Sequence, residues 1–307
     1  MQIFNRVRMG LAALLVLGSS VTAMAAPQED AAAYLSQAYT QMDAITSEAF
    51  TVNGVAVSPM GQINFAANGK AIVKPQLLLQ ADMNVTMNGL LGQKLSLATP
   101  CYMEETDKAF IAYYQNNGKW VKQTMKKDAK TAGIETIKSS DILPLLRGVE
   151  LTADTPEERI LKVTVDGQKL AAAARDSVLA QNKGKKVSAQ DKAMQAQAEK
   201  IFNAIGDVEL TLHIDKGTGY IVKSEANLTT PLRNIANAFI ADLAKVKPAD
   251  KQKAQDMINN TTLQVESTDS EFNTVTAITI PADVRAAKEV VPMTPKAPEK
   301  TDKKTAA

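Results

Sequence analysis

The stretch that decides the fold is QLLLQADMNVTMN, residues 76–88. Every second residue in it is apolar, and the residues between are mostly polar. This alternation predicts a long β-strand with one apolar face and one wet face. Sheets that bury only one face are usually antiparallel, and other secondary-structure elements must pack against that face. The apolar set is Leu77, Leu79, Ala81, Met83, Val85 and Met87.

Residues 1–25 have the features of a secretory signal peptide. Arg6 and Arg8 precede an apolar run, and Ala23-Met24-Ala25 fits a cleavage site with small residues at both ends. The apolar run is too short to span a bilayer. We therefore expect cleavage after Ala25 and a mature protein that is periplasmic or secreted.

The charge balance argues against a nucleic-acid binder. The chain has 35 Lys and Arg residues against 33 Asp and Glu residues, so it lacks a basic footprint. Cys101 is the only cysteine, which rules out a disulfide within the chain, and we interpret it as a half-buried small residue. Residues 291–307 are rich in Pro, Lys and Thr, a composition typical of a disordered tail.

Between these ends, alternating segments and helical segments share the chain. Apolar residues at helical spacing predict helices over 27–47, 169–181, 188–205, 231–246 and 248–260, and a short one beginning at 139–141. Alternation predicts strands over 48–57, 62–74, 76–88, 90–99, 101–105, 109–115, 119–125, 149–153, 159–165, 207–215, 220–228, 262–268 and 272–280. The simplest fold class is α+β. We expect one curved antiparallel sheet, a half-barrel of about eleven strands, with helices packed on its concave face. Residues 26–290 would form this single domain.

Catalytic chemistry finds little support in the sequence. His213 is the only histidine, and it alternates with Leu212 and Ile214, which places it on a wet strand face. A zinc site needs several His or Cys ligands, and no phosphate loop, dinucleotide fingerprint or nucleophile elbow occurs. We therefore expect no enzyme, no cofactor and no metal site.

Four stretches carry a resemblance to a known family. They are ANGKAIVKPQLLLQADM (67–83), YYQNNGKWVKQTM (113–125), IDKGTGYIVKSEANL (214–228) and FNTVTAITIPADVRAA (272–287). Together they resemble the LolA/LolB/LppX-like family of periplasmic lipid and lipoprotein carriers, and more closely secreted bacterial proteins placed in that fold. The resemblance implies a half-barrel that shelters acyl chains or lipoproteins between sheet and helices.

The expected function is therefore a non-enzymatic carrier or binder of a hydrophobic ligand in an apolar cleft. Its expected partners are a lipid or an acylated protein, with transient contacts to the membrane or other envelope components and none to nucleic acid. The alternative is a structural or protein-interaction module of the cell envelope in which the helices fill the core. The residues expected to line the cleft are Leu77, Leu79, Met83, Val85, Met87, Trp120, Leu210, Leu212, Tyr220 and Val222.

Overall fold

The computed structural model describes residues 29–89, 94–127, 143–182, 196, 199–201, 203–241 and 247–290. The predicted central strand is observed as β3 (Leu78–Asn88). It lies between β2 (Gly61–Ile72) and β4 (Lys94–Glu105) and is antiparallel to both. The alternation in residues 76–88 therefore belongs to an interior strand of a sheet with two unlike faces.

The strands of the described residues form one open, curved, twelve-stranded sheet with the order β12-β6-β5-β4-β3-β2-β1-β11-β10-β9-β8-β7. Neighbouring strands are antiparallel except β12 and β6, which are parallel. The predicted α+β class with a curved antiparallel sheet is confirmed, with one strand more than the approximate count expected. The remaining strands are β1 (Ser47–Ser58), β5 (Ala109–Asn116), β6 (Lys119–Lys126), β7 (Leu146–Asp154), β8 (Glu158–Val165), β9 (Val208–Asp215), β10 (Ile221–Asn227), β11 (Thr262–Ser270) and β12 (Lys288–Glu289).

The ladder register assigns each side chain to a face, because residues paired across an antiparallel ladder point to the same side. Phe50, Gly69, Ala81 and Cys101 form one row across β1 to β4. The same face continues through β11 and β10 to Leu210 of β9. We call it the helix face, because the first helix packs on it, and the opposite side the outer face.

That first helix, α1 (Glu29–Asp43), covers the helix face of the strands at one end of the sheet. Its Leu35 and Tyr39 belong to one buried cluster with Leu161 of β8 and Leu212 of β9. Leu35, Leu161 and Leu212 are 0% exposed. The predicted helix over 27–47 is therefore present, but it is shorter, because the chain enters β1 at Ser47.

Four further helices are described: α2 (Gly167–Asn182), α3 (Thr229–Ala241), α4 (Pro248–Asn259) and α5 (Ala282–Arg285). α3 packs against α4 and β11. The helix predicted over 188–205 falls mostly outside the described residues, of which 199–201 and 203–205 are helical. Residues 139–141 also lie outside them, and Leu143–Leu145 forms a single 3₁₀ turn before β7. Within the described ranges, every helix is too short or too polar to span a bilayer.

The strands predicted over 90–99 and 101–105 are in fact one strand, β4, and the division between them is wrong. Pro100 lies inside β4, paired with Asp82 of β3. Pairing with β5 begins only at Cys101, so Pro100 has no neighbour on its other side that needs its missing N–H. A proline can therefore occupy the interior of this strand without breaking a ladder.

The closing strand predicted over 272–280 is also wrong. After β11, Glu271 and Asn273 adopt φ values of 50° and 60°, which turn the chain out of the ladder. Ile280 and Val284 then bury against Tyr113 on the outer face, in a cluster that also includes Trp120. An extended segment that packs on a sheet without pairing alternates in the same way as a strand, and this explains the wrong assignment.

Two other predictions fall on residues that the structure does not describe. The signal peptide over 1–25 and the tail over 291–307 lie outside the described ranges. The assignment of 26–290 to a single domain stays a prediction.

Candidate ligand-binding face

Among the residues that the structure describes, those on the helix face are fully buried at one end of the sheet and partly exposed at the other. Under α1, Leu161, Val163 and Leu212 are 0% exposed. On β4, exposure rises towards the start of the strand, from 6% at Thr99 to 40% at Leu97 and 55% at Leu95. Because these residues occupy the same face of one sheet, the contrast reflects how far the cover extends rather than a change in residue type.

We call the incompletely covered part the open region. It consists of half-buried or exposed apolar side chains on the helix face of β1 to β4 and β11, with buried residues such as Val52 and Ala81 among them. Contiguous exposed apolar surface of this kind is typical of a place where a ligand or partner binds. Its members are Phe50, Ile63, Phe65, Met83, Val85, Met87, Leu95, Leu97, Leu263 and Val265.

Five of the residues predicted to line a cleft come together on β3 or just before it. Leu79, Met83, Val85 and Met87 share the helix face and are half-buried. Leu77 is in phase with them, and its backbone N–H donates to Oε2 of Glu105 over 2.9 Å. Met83, Val85 and Met87 thus belong to the open region, and a ligand-binding role for these residues stays a prediction.

The other five predicted residues lie elsewhere. Leu210 and Leu212 are on the helix face but belong to the cluster under α1. Trp120 is on the outer face, with its ring centroid 5.7 Å from that of Tyr102, because alternation along β6 places it opposite to Val121. The other two are not in the open region: Tyr220 stacks on Phe272 outside the strands, with centroids 4.7 Å apart, and Val222 lies at an irregularity between β9 and β10.

Sequence reasoning missed the aromatic part of the open region. Phe65 lies across Gly54, where an added Cβ would be 1.8 Å from the phenyl ring. Phe50 lies close to Gly69 in the same way, at 2.7 Å. Each glycine thus makes room for an aromatic ring on the neighbouring strand. A glycine paired with a phenylalanine across a hairpin could have indicated these aromatic residues. The sequence alone does not show such a pair, because the pairing depends on the register of the two strands.

Two carboxylates also point to the helix face next to the open region. Asp269 of β11 pairs with Phe50 of β1, and Glu48 precedes Phe50 by two residues, so both share its face. Burial raises the pKa of Asp269 to about 7, and the charge of Glu48 adds to this, whereas a hydrogen bond from Ser267 acts in the opposite direction. Burial also raises the pKa of Glu48. Burial therefore favours the protonated form of both carboxyl groups.

Most other carboxylates near the sheet have a basic partner. On the outer face, Glu104 accepts from Tyr113 Oη at 2.6 Å and from Arg285 Nη2 at 3.0 Å, which fastens the C-terminal segment to the sheet. Glu105 points to the helix face and pairs with Lys127. These two carboxylates point to opposite faces because consecutive side chains of a strand alternate between its faces.

His213 lies on the outer face, as predicted, and pairs across the ladder with Lys223. Its Nδ1 is 2.9 Å from Oε2 of Glu158, and its Nε2 is 4.0 Å from Oε1 of Glu225. Both carboxylates share the outer face with His213. These contacts are those of a charge network on the outer face, to which Lys223 also belongs through its ion pair with Glu225.

Small pockets in the described part of the chain lie away from the open region. One of about 160 Å³ lies between α1 and the turn after β9, next to Arg159 and Tyr34. Another of about 390 Å³ borders α2, next to Arg175 and Asn203. Neither has the long apolar lining that an acyl chain needs, so the open region remains the better candidate site.

Known proteins offer a likeness of fold and little else. No protein-family model matches the chain, and no curated protein matches it. Among solved structures, it is similar to LprF from Mycobacterium bovis, with 14% identity, coverage of 84% of this chain and 99% of that one, and a TM-score of 0.38. It is also similar to a DUF1329 family protein from Desulfovibrio piger ATCC 29098, with 10% identity, coverage of 80% and 93%, and a TM-score of 0.22. We base no functional conclusion on either structure.

Proposed function

We propose that this protein binds or carries a hydrophobic ligand, such as a lipid or the acyl chain of a modified protein, on the open region of the helix face. The observation that supports this is the contrast within one apolar face. Leu212 is 0% exposed under α1, whereas Leu95 is 55% exposed on β4. A chain-like apolar ligand would complete the cover that α1 begins.

Burial supplies the binding free energy in this proposal. Each methylene removed from water contributes about 0.8 kcal/mol, so a chain of a dozen or so carbons offers roughly 10 kcal/mol before the ordering costs of binding are subtracted. Met83 and Met87 suit such a ligand, because methionine side chains adapt their shape to varied apolar partners. No step of covalent chemistry is needed, and we propose a non-enzymatic role.

We also propose that the protein acts outside the cytoplasm, in the periplasm or as a secreted protein. The support is the basic start, apolar run and Ala23-Met24-Ala25 site in residues 1–25. Amino-terminal sequencing of the protein isolated from an envelope or culture-medium fraction tests this. A chain that retains residues 1–25 and stays in the cytoplasm would contradict it.

Two measurements test the binding proposal. Organic extraction of the purified protein followed by mass spectrometry should release a stoichiometric lipid. The lipid-free protein should then enhance the fluorescence of N-phenyl-1-naphthylamine, an uncharged apolar probe, in a saturable way. The rival structural module, with a filled core, predicts neither a lipid nor saturable uptake.

A matched pair of variants locates the site. Val85→Asp places a charge on the helix face in the open region, and we expect it to lower probe affinity at least tenfold. Val55→Asp is the control: Val55 is 37% exposed and pairs with Asn64 on the outer face. Circular dichroism should show that both variants remain folded. Equal loss of affinity in both variants, or no loss in Val85→Asp, would place the probe elsewhere.

A further inference from the structure

Two acidic side chains stand out on the otherwise apolar helix face of the central strands. Glu48 and Asp269 lie on neighbouring strands, β1 and β11: Asp269 is directly opposite Phe50, and Glu48 precedes Phe50 by two residues. At the other helix-face positions of β1, β2, β3, β10 and β11, the described side chains are apolar or belong to serines. These serines are Ser58, Ser224 and Ser267. The pair is therefore the only charged feature beside the open region on these five strands.

No basic residue on these strands faces the pair. Lys70 and Lys223 are on the outer face, where they pair with Glu271 and Glu266. The hydrogen bond that Asp269 receives comes from the hydroxyl of Ser267, at 3.4 Å. By contrast, Glu104, Glu105 and Glu266 each have a Lys or Arg partner. Within the described part of the chain, the helix-face pair thus lacks the neutralisation that other carboxylates of this sheet receive.

Two adjacent carboxylates with apolar surroundings are costly to ionise unless a cation lies between or beside them. A divalent metal is a poor candidate, because Ca²⁺ and Mg²⁺ take six or more oxygen ligands. In the described residues, no third Asp, Glu, His or Cys joins the pair. A cation that brings its own apolar body suits the surroundings better, because the open region begins at Phe50.

We propose that the ligand of the open region is an amphiphile with an aliphatic chain and a primary ammonium head, and that Glu48 and Asp269 bind the head. This inference rests on the proposed function and specifies its ligand class. The chain would lie along the helix face towards Leu97 and Leu95, where exposure is greatest. From Phe50 to Ala56, strand β1 alone extends about 20 Å, which accommodates an extended dodecyl chain.

The selectivity of the unmodified full-length protein provides the first test. Dodecylamine, dodecanol and laurate share one chain and differ in the head: cationic, neutral and anionic at pH 8. Each is titrated below its micelle concentration against protein loaded with N-phenyl-1-naphthylamine. We expect dodecylamine to displace the probe at a concentration at least tenfold below that of laurate, with dodecanol between them.

Variants then assign the selectivity to the pair. In Glu48→Gln/Asp269→Asn, the preference for dodecylamine over laurate should fall at least fivefold, while affinity for dodecanol stays within twofold. The control is Glu266→Gln, which removes a carboxylate of the same strand β11 from the outer face and should leave the preference intact. If the double variant does not fold, each single substitution is measured in the same way.

The outcomes separate the two proposals. Equal affinity for dodecylamine and laurate in the unmodified protein would overturn the inference and leave the proposed function standing. A preference that survives in the double variant would also overturn it, because the head would then be bound elsewhere. If none of the three ligands displaces the probe, or the probe itself does not bind, the proposed function fails and the inference fails with it.

Discussion

The substitution Asp269→Asn should stabilise the protein at pH 8. Burial raises the pKa of Asp269 from the ordinary value of 3.8 to about 7 in the folded protein, and the nearby Glu48 contributes to this. The folded state therefore holds a proton between pH 4 and pH 7 that the unfolded state has lost. Because the folded state binds more protons in this range, the free energy of unfolding falls as pH rises from about 4 to about 7. Above about pH 7, Asp269 causes no further change.

The magnitude follows from the interval between the two pKa values. The pKa of Asp269 differs by about 3 between the folded and unfolded states. Since one pKa unit corresponds to 1.36 kcal/mol, this difference amounts to roughly 4 kcal/mol of unfolding free energy. Asp269 is only half-buried, so solvent screening reduces this, and we expect about 2 kcal/mol. An asparagine keeps the oxygen that accepts the hydrogen bond from Ser267, and it carries no charge at any pH. The free energy of unfolding of the variant should therefore not fall through ionisation at this position.

Urea unfolding followed by circular dichroism at pH 4.5, 6 and 8 measures the effect. Asp269→Asn should be about 2 kcal/mol more stable than the unmodified protein at pH 8, and the difference should shrink towards zero at pH 4.5. Asp82→Asn is the control, since Asp82 is exposed on the outer face of β3, and it should leave the pH dependence unchanged. A difference at pH 8 that is absent, or that does not shrink at pH 4.5, would refute the reasoning.

Three further predictions concern packing and are measured by the same unfolding assay. Gly167→Ala should destabilise the protein by about 2 kcal/mol, because its Cβ would be 1.9 Å from the carbonyl oxygen of Gly206, whereas Gly148→Ala meets nothing within 4 Å and should not destabilise it. Leu212→Ala should destabilise it by about 3 kcal/mol because the residue is fully buried, whereas Met83→Ala in the open region should destabilise it by less than half as much and weaken probe binding. Val284→Ala should destabilise it by about 1–2 kcal/mol and loosen the C-terminal segment from the outer face, which faster proteolysis near residue 280 would report; unchanged proteolysis would contradict this.

Local alternation was enough to predict most of the sheet. The pattern in 76–88 identified β3 and its helix-face residues, because a strand buried on one face must place its apolar residues at a period of two. The same rule failed at 272–280, where Ile280 packs on a sheet without pairing to it. Alternation reports that an extended segment has one buried side, and it does not report whether hydrogen bonds join that segment to a neighbour.

The face of the sheet to which a residue points was harder to predict than the strand to which it belongs. In β1, the apolar residues Phe50 and Val52 point to the helix face, whereas Val55 and Val57 point to the outer face. Gly54 lies between these two sets, at the position over which Phe65 packs. A list of apolar residues in 48–57 therefore mixes two surfaces, and only the register with β2 separates them.

The acidic pair could not have been found from the sequence. Glu48 stands at the beginning of the chain's first strand, and Asp269 stands near the end of β11. Each looks like an ordinary polar residue in its own segment. Their proximity depends on the pairing of β1 with β11, which joins the two ends of the sequence. Long-range pairing of this kind leaves no local signal, so sites built on it emerge only from the structure.

The open region follows from the dimensions of the sheet and of its cover. Helix α1 has 15 residues, which gives it a length of about 22 Å. Twelve strands at a spacing of about 4.8 Å extend over roughly 53 Å. A helix of this length is too short to cover all twelve strands, and the buried cluster to which its Leu35 and Tyr39 belong lies on β7 to β10. On β4, Leu95 and Leu97 are 55% and 40% exposed, and the proposed ligand would bury this apolar surface.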